Sequence, residues 1–314
     1  MPLASSTATS ATAGAETISD RRPVPLLKTI VFLGGFASIG IELAASRLIA
    51  PYFGSSTFIW ATLIGLILTF LSLGYWLGGR VADRHPSPVV LYTLTAIGAA
   101  AAGLVPLLAR PILATSLAAF ARYDIGAFYG SLLGTLALLA APITLLGFIS
   151  PFAIRLALGD VASAGHTAGS LYALSTIGSI AGSFLPVLIL IPLAGTTITF
   201  LVLSLALLLP SLVGLAMLRA RAPAGGAVAL AVAVPLLGLT TAGGAIRPAE
   251  VGALLTERES TYNYIQVVRD GDRNLLILND GHAVHSIYDP KQLLTGGPWD
   301  YAMVAPLVVN GSGP

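Results

Sequence analysis

The chain has no cysteine among its 314 residues. This absence excludes disulfide bonds, cysteine-ligated zinc, iron–sulfur clusters and thiol catalysis. Charged residues are also scarce, at 10% of the chain against about 25% in average soluble domains. A chain so poor in charge cannot cover a water-facing surface of ordinary polarity, so we expect most of it to lie in a lipid bilayer. The net charge of +2 offers no broad basic surface, and we expect no nucleic-acid partner.

Long apolar runs occupy most of the remaining sequence. Seven of them approach or exceed the roughly 20 residues that a helix needs to cross a bilayer. They lie at about 28–50, 57–79, 88–109, 126–149, 168–192, 196–218 and 226–246. A shorter apolar segment at 111–121 is expected to lie in the membrane interface or to re-enter the membrane. The predicted fold class is therefore mainly α, a polytopic transmembrane bundle of about seven spans with a small β-rich soluble tail.

Composition divides the chain into three predicted regions. Residues 1–25 are rich in Ala, Ser and Thr and lack the apolar core of about 7–15 residues that a secretory signal requires, so we expect a disordered tail. Residues 26–247 form the predicted membrane domain. In residues 248–314, charged residues return and β-forming residues alternate with polar ones, which is typical of β-hairpins. The predicted elements of this tail are strands at 262–268, 274–278 and 282–288, and a helix at 298–309.

The distribution of Lys and Arg favours a cell-membrane protein with a cytoplasmic N-terminus. The side predicted to be inner carries Arg21, Arg22, Lys28, Arg80, Arg84, Arg155, Arg219 and Arg221. The other side carries Arg47, Arg110, Arg122 and Arg247. Seven spans would place the tail outside, whereas an extra crossing at 111–121, or the loss of one weak span, would place it inside.

Four charged residues in or beside the first two spans are candidates for function. Glu42 lies near the middle of the first span, where a carboxylate is costly, so it is either a proton or substrate site or a protonated packing residue. Arg47 lies about 140° further around the helix and is expected to extend toward the interface. Asp83 and Arg84 follow the second span in a loop similar to one in major-facilitator transporters. They either gate a conformational change or anchor the topology.

Two small-residue patterns predict close helix packing. Gly74 and Gly78, like Gly178 and Gly182, are four positions apart and share one helix face, which lets two backbones approach. These glycines are therefore interpreted as packing seams and not as a nucleotide-binding loop.

No metal site is predicted. His282 and His285 are the nearest candidates, but three positions along a strand place them on opposite faces. They are interpreted as ordinary hairpin surface.

Longer stretches of the sequence resemble a known family. Residues 40–84, 150–158 and 168–196 resemble the membrane half of bacterial fused spermidine synthase-like proteins. Residues 259–289 are similar to the N-terminal β-domain of spermidine synthase, a polyamine aminopropyltransferase. In that family the β-domain precedes a Rossmann domain that binds decarboxylated S-adenosylmethionine and activates the amine of putrescine.

The resemblance implies specific roles for the tail. Because the chain stops where the Rossmann domain would begin, we expect no catalytic residue, no cofactor bound by this chain alone and no aminopropyl transfer without a separately encoded catalytic domain. The tail would then supply a lid and a homodimer surface. Asn263 corresponds to a family Gln that contacts the nucleoside product, and Asp300 keeps the acid of a polyamine-contacting Tyr-His-Glu motif, in which Trp299 replaces the His.

Three functional hypotheses follow. The first is a membrane-anchoring module of a spermidine synthase-like protein. The second is a transporter or sensor of a polyamine-like solute, built around Glu42. The third is a fragment without activity.

Overall fold

The computed structural model describes residues 24, 26–120, 126–242, 244–260, 262–279 and 284–309. The elements found in these ranges are nine α-helices and four β-strands. The helices are α1 (Leu27–Phe53), α2 (Thr57–Arg84), α3 (Pro88–Phe120), α4 (Gly126–Gly147), α5 (Ile149–Ala157), α6 (Ala164–Leu185), α7 (Ile191–Met217), α8 (Arg221–Ala242) and α9 (Asp300–Val309). The strands are β1 (Ala253–Glu259), β2 (Tyr264–Asp270), β3 (Arg273–Leu278) and β4 (Val284–Tyr288).

The predicted apolar runs fall on helices. Among the described residues, six helical units are long and apolar enough to cross a membrane by length and composition. One of them, Ala164–Met217, has 54 residues because a π-helical turn at Pro186–Leu190 joins α6 to α7. Within this unit Gly195 leaves the helical conformation, with φ 83° and ψ 168°. The structure is therefore that of a membrane-type helical bundle.

The apolar segment at 111–121 is not a separate element. Its described residues, 111–120, continue α3, which reaches 33 residues with Pro106 and Pro111 inside it. The segment is thus the C-terminal part of α3, and its interfacial or re-entrant position stays a prediction. The helix continues past both prolines, although neither has a backbone N–H to donate.

The glycine patterns form helix–helix contacts, as predicted. A Cβ on Gly178 would lie 2.0 Å from the carbonyl oxygen of Phe32, and one on Gly182 would lie 2.2 Å from that of Phe36, so α6 packs directly on the backbone of α1. On α2, a Cβ on Gly74 would lie 2.3 Å from a carbonyl oxygen of α4. In lipid, where no hydrophobic force draws helices together, such close approach stabilises the bundle through van der Waals contact.

The tail folds as a four-stranded antiparallel sheet with strand order β1-β2-β3-β4. The three predicted strands correspond to β2, β3 and β4 in the described residues. The sequence analysis missed β1, whose strand-forming residues are interrupted by charged ones. Val268, Leu275 and Ile277 form a small buried cluster on one face. The turn between β2 and β3 contains Gly271 at φ 61°, a conformation that glycine adopts without strain.

Candidate ligand site between the bundle and the sheet

The segment after α8 is fixed to the end of α1 by a buried arginine. Arg247 is only 6% exposed, and its guanidinium donates a hydrogen bond to the carbonyl oxygen of Pro51 and pairs with the carboxylate of Glu250. In return, the hydroxyl of Tyr52 donates to the carbonyl oxygen of Ile246 at 2.6 Å. The last carbonyls of a helix lack partners within the helix, so these contacts satisfy groups that would otherwise need water.

A buried polar cluster on the sheet binds the backbone of the segment that follows α8. Glu257 accepts hydrogen bonds from the backbone N–H of Ile246 at 3.0 Å and from the hydroxyl of Tyr264 at 2.8 Å. Gln266 donates to the carbonyl oxygen of Arg247 at 2.7 Å. Burial raises the pKa of the Glu257 carboxyl, and the hydrogen bonds it accepts act in the opposite direction. Burial and the neighbouring Glu257 also raise the pKa of Tyr264, which keeps its hydroxyl a donor.

A second carboxylate binds the point where α7 resumes after its break. One Glu259 oxygen accepts a 2.7 Å hydrogen bond from the backbone N–H of Thr196, and the other accepts from the Thr196 hydroxyl. Thr196 is fully buried. Gly195, with its positive φ, directly precedes Thr196, whose backbone N–H donates to Glu259 where the helix resumes. An anion at a helix N-terminus is stabilised by these N–H groups and by the helix dipole.

A third contact completes what we term the polar clamp, formed by Arg47, Arg247 and Glu259. The Arg47 guanidinium on α1 donates to the carbonyl oxygen of Ser260, just after β1. The sheet is thus held at the end of the bundle where α1 ends, which we call the sheet end. The opposite end, where α1 begins and α2 stops, is called the N-terminal end.

A cavity of about 220 Å³ lies beside the clamp, between the end of α1, the start of α2 and the sheet. Arg47, Ser46, Ser55, Tyr262, Tyr264 and Asn279 line its polar part, and Ile49, Ala50, Gly54, Ile59, Trp60 and Leu63 line the rest. No His, Asp or Glu is among these described lining residues, so nothing there would activate a serine as a nucleophile. The arrangement is suited to binding a ligand with one polar and one apolar side.

The structure brings one of the two predicted substrate-binding residues close to this cavity. Asn263 does not line it, but its side-chain oxygen accepts a 3.1 Å hydrogen bond from Asn279, which does. Asn279 has φ 56° and also accepts from the backbone N–H of Tyr264 at 3.2 Å. Asn263 is therefore linked to the cavity through Asn279.

Asp300 has a local structural role at the start of α9. Its carboxylate accepts a 2.7 Å hydrogen bond from the backbone N–H of Gly296, and Trp299 donates to the nearby Thr295 hydroxyl at 2.7 Å. Asp300 does not line the cavity beside the clamp, so the structure does not bring it together with Asn263 in one site.

The charged residues predicted in the membrane domain are dispersed. Glu42 is half-buried in the middle of α1 and lines none of the cavities described here. Asp83 forms an ion pair with Arg155 of α5 at 3.1 Å, at the N-terminal end. This pair borders a second cavity of about 470 Å³ between α2, α5 and α6. Arg84 is the last residue of α2 and does not line it.

The structure describes one of the two histidines that were interpreted as hairpin surface. His285 is exposed on β4, whereas His282 lies outside the described residues. Within the described part of the chain, no group of three or more His, Asp or Glu side chains is placed to hold a metal ion.

Comparison of the chain with models of protein families, with curated proteins and with solved structures found no match.

Proposed function

We propose that this chain is the membrane-anchoring module of a spermidine synthase-like protein, which holds a small β-sheet at one face of the bilayer. The observation that carries the anchoring role is the polar clamp. A flexible tether would keep the sheet near the membrane without any specific contact. Arg247 and Glu259 instead bind backbone groups at helix ends, which gives the sheet a fixed orientation.

Seven crossings are part of this proposal. A straight helix of 54 residues would be about 81 Å long, whereas the hydrocarbon core is about 30 Å thick. The break at Gly195 divides this unit into residues 164–194 and 196–217, which are about 46 and 33 Å long at 1.5 Å per residue, so each is long enough to cross the roughly 30 Å core once and too short to cross it twice. Seven crossings place the N-terminus and the sheet on opposite sides of the membrane.

Charge supports one orientation in the cell membrane. The N-terminal end of the bundle carries Lys28, Arg80, Arg84, Arg155, Arg219 and Arg221, and the sheet end of the helices carries Arg47 and Arg110. By the positive-inside rule the N-terminal end is cytoplasmic and the sheet lies outside. A reporter enzyme fused after residue 309 should then be active outside the cytoplasm, and one fused before residue 24 should be active inside. Both reporters on one side would rule out seven crossings.

The spermidine synthase-like part of the proposal rests on the sequence motifs and on an antiparallel sheet following the bundle. Aminopropyl transfer requires a sulfonium donor held beside a deprotonated amine. No such site is formed by the described residues, so we propose that a separate catalytic domain docks on the sheet. With the sheet outside, that domain would need its donor on the same side.

The test for this part is an activity assay with putrescine and decarboxylated S-adenosylmethionine. The chain is assayed alone and together with the product of a neighbouring gene. We expect spermidine only in the presence of the partner. Spermidine formed by the chain alone would refute the anchoring role as the whole function, and none in either sample would refute the aminopropyltransferase assignment while leaving the clamp intact.

One observation favours a second candidate, a solute transporter. The Asp83–Arg155 pair joins α2 to α5 beside the larger cavity, and such a pair can open and close as helices move. In reconstituted vesicles, uptake of a labelled polyamine should be lost in Glu42→Gln and Asp83→Asn. It should persist in Asp160→Asn, which changes an exposed acid in the loop after α5. Vesicles that take up no more than empty ones would end this hypothesis.

A further inference from the structure

The cavity beside the polar clamp has a lining of one charge sign. Its only formally charged described residue is Arg47, and the polar groups around it are hydroxyls and the Asn279 amide. Two described carboxylates of the sheet bind other partners, since Glu257 accepts a hydrogen bond from Tyr264 and Glu259 accepts one from Thr196. A guanidinium with hydroxyl and amide neighbours favours an anion, and its planar donors match a phosphate group particularly well. The same lining disfavours a polyamine, which is a cation.

The opposite wall of the cavity is apolar and belongs to the membrane-spanning part of α2. Ile59, Trp60 and Leu63 form this wall. Trp60 is also 38% exposed, and its neighbours Phe58 and Ile64 are 73% and 40% exposed on the outer surface of α2. An aromatic residue with one side in a cavity and the other toward lipid is typical of the membrane–water interface. A ligand would thus meet polar groups toward the sheet and apolar groups toward the membrane.

The volume limits the size of the ligand. At about 220 Å³, the cavity is smaller than the roughly 300–1,000 Å³ of pockets that enclose drug-sized ligands. This volume favours a small ligand, such as a phosphate group with a short stem.

We propose that this cavity binds a phosphate group on a small stem, as in the head group of an anionic phospholipid, with Arg47 as its main ligand. The apolar wall favours the lipid over a free phosphate ester. This inference is independent of aminopropyl transfer, but it rests on the docking of the sheet, because Arg47 belongs to the polar clamp and Tyr262, Tyr264 and Asn279 line the cavity.

The experiment uses the whole chain in nanodiscs. Retention of phosphatidylglycerol against phosphatidylcholine is measured by native mass spectrometry, and thermal stabilisation by glycerol 3-phosphate is measured in phosphatidylcholine nanodiscs.

Arg47→Gln should weaken ligand binding in these measurements by roughly tenfold or more, because it removes a charge-assisted hydrogen bond. Arg47→Lys should keep most of it. Ala50→Phe should also abolish it by filling the cavity while leaving Arg47 in place. Arg110→Gln, which removes a cation from a neighbouring cavity at the sheet end, should change little.

The two measurements distinguish a lipid head group from a soluble phosphate ester. Selective retention of phosphatidylglycerol that depends on Arg47 supports a lipid, and an Arg47-dependent response to glycerol 3-phosphate alone supports a soluble ester. The proposal is overturned if neither ligand has an effect. It is also overturned if Arg47→Gln and Arg110→Gln lose binding equally, since that result would indicate non-specific attraction to surface charge. If Arg47→Gln does not fold, Ala50→Phe still decides, because unchanged binding in a filled cavity would exclude this site.

Discussion

Removal of the Glu259 carboxylate should release the sheet from the bundle. In Glu259→Ala, the backbone N–H and the hydroxyl of buried Thr196 both lose their partner. A hydrogen bond to a charged group contributes about 1.5–3 kcal/mol, and an anion at a helix N-terminus about 0.3–1 kcal/mol more. These contributions share one carboxylate, and water can replace part of them. We therefore expect the free energy of local opening of the sheet to fall by about 2–4 kcal/mol.

Hydrogen exchange measures this opening directly. A loss of about 2–4 kcal/mol corresponds to exchange of the β1 and β2 amides that is roughly thirtyfold to several hundredfold faster. The spans of the bundle should keep their protection. Asp270→Ala is the matched control, because Asp270 is an exposed acid at the end of β2 and lies away from the clamp. Unchanged exchange in Glu259→Ala, or equal acceleration in both variants, would refute the argument that this carboxylate fixes the sheet.

Two further predictions concern packing and pH. Gly178→Ala should destabilise the bundle by roughly 1–3 kcal/mol or prevent folding, because its Cβ would lie 2.0 Å from the Phe32 carbonyl oxygen. Gly169→Ala on the same helix should have little effect, because a Cβ there meets open space, and thermal melting in detergent compares the two variants. Because burial raises the folded-state pKa of Glu257 above its ordinary value of 4.5, its contribution to sheet docking is fully present below pH 4.5 and is lost as pH rises through the folded pKa. Glu257→Gln should flatten this pH dependence in hydrogen exchange, and an unchanged pH profile would contradict it.

The sequence predicted the helices well because each is specified locally. An apolar run long enough to span a bilayer must satisfy its own backbone hydrogen bonds, and the helix is the only single-segment solution. The end of α3 was harder, because Pro106 and Pro111 normally indicate a boundary. The strand β1 was missed because its sequence, Ala-Leu-Leu-Thr-Glu-Arg-Glu, alternates poorly. Pairing with β2 orders it, and this pairing is not a local property.

The candidate site could not have been predicted from spacing along the chain. Arg47 and Ser260 are 213 positions apart, and Arg247 and Pro51 are 196 apart. Only the break at Gly195 gave a local signal, as a glycine between two apolar runs. The resemblance directed attention to Asn263, whose side chain accepts a hydrogen bond from Asn279, a residue that lines the cavity. The roles it implied for Asn263 and Asp300 in binding a substrate stay predictions.

The position of the sheet follows from the polar groups that a membrane helix leaves unsatisfied at its ends. Pro51 carries one of the last carbonyls of α1, and Thr196 carries one of the first N–H groups where α7 resumes. The tail supplies a cation to the carbonyl and a carboxylate to the N–H, so the signs of its charges match the two helix ends. Exchanging the two charges would place like partial charges together at both contacts. The two contacts therefore favour the observed orientation of the tail, and they tie the sheet to both α1 and α7.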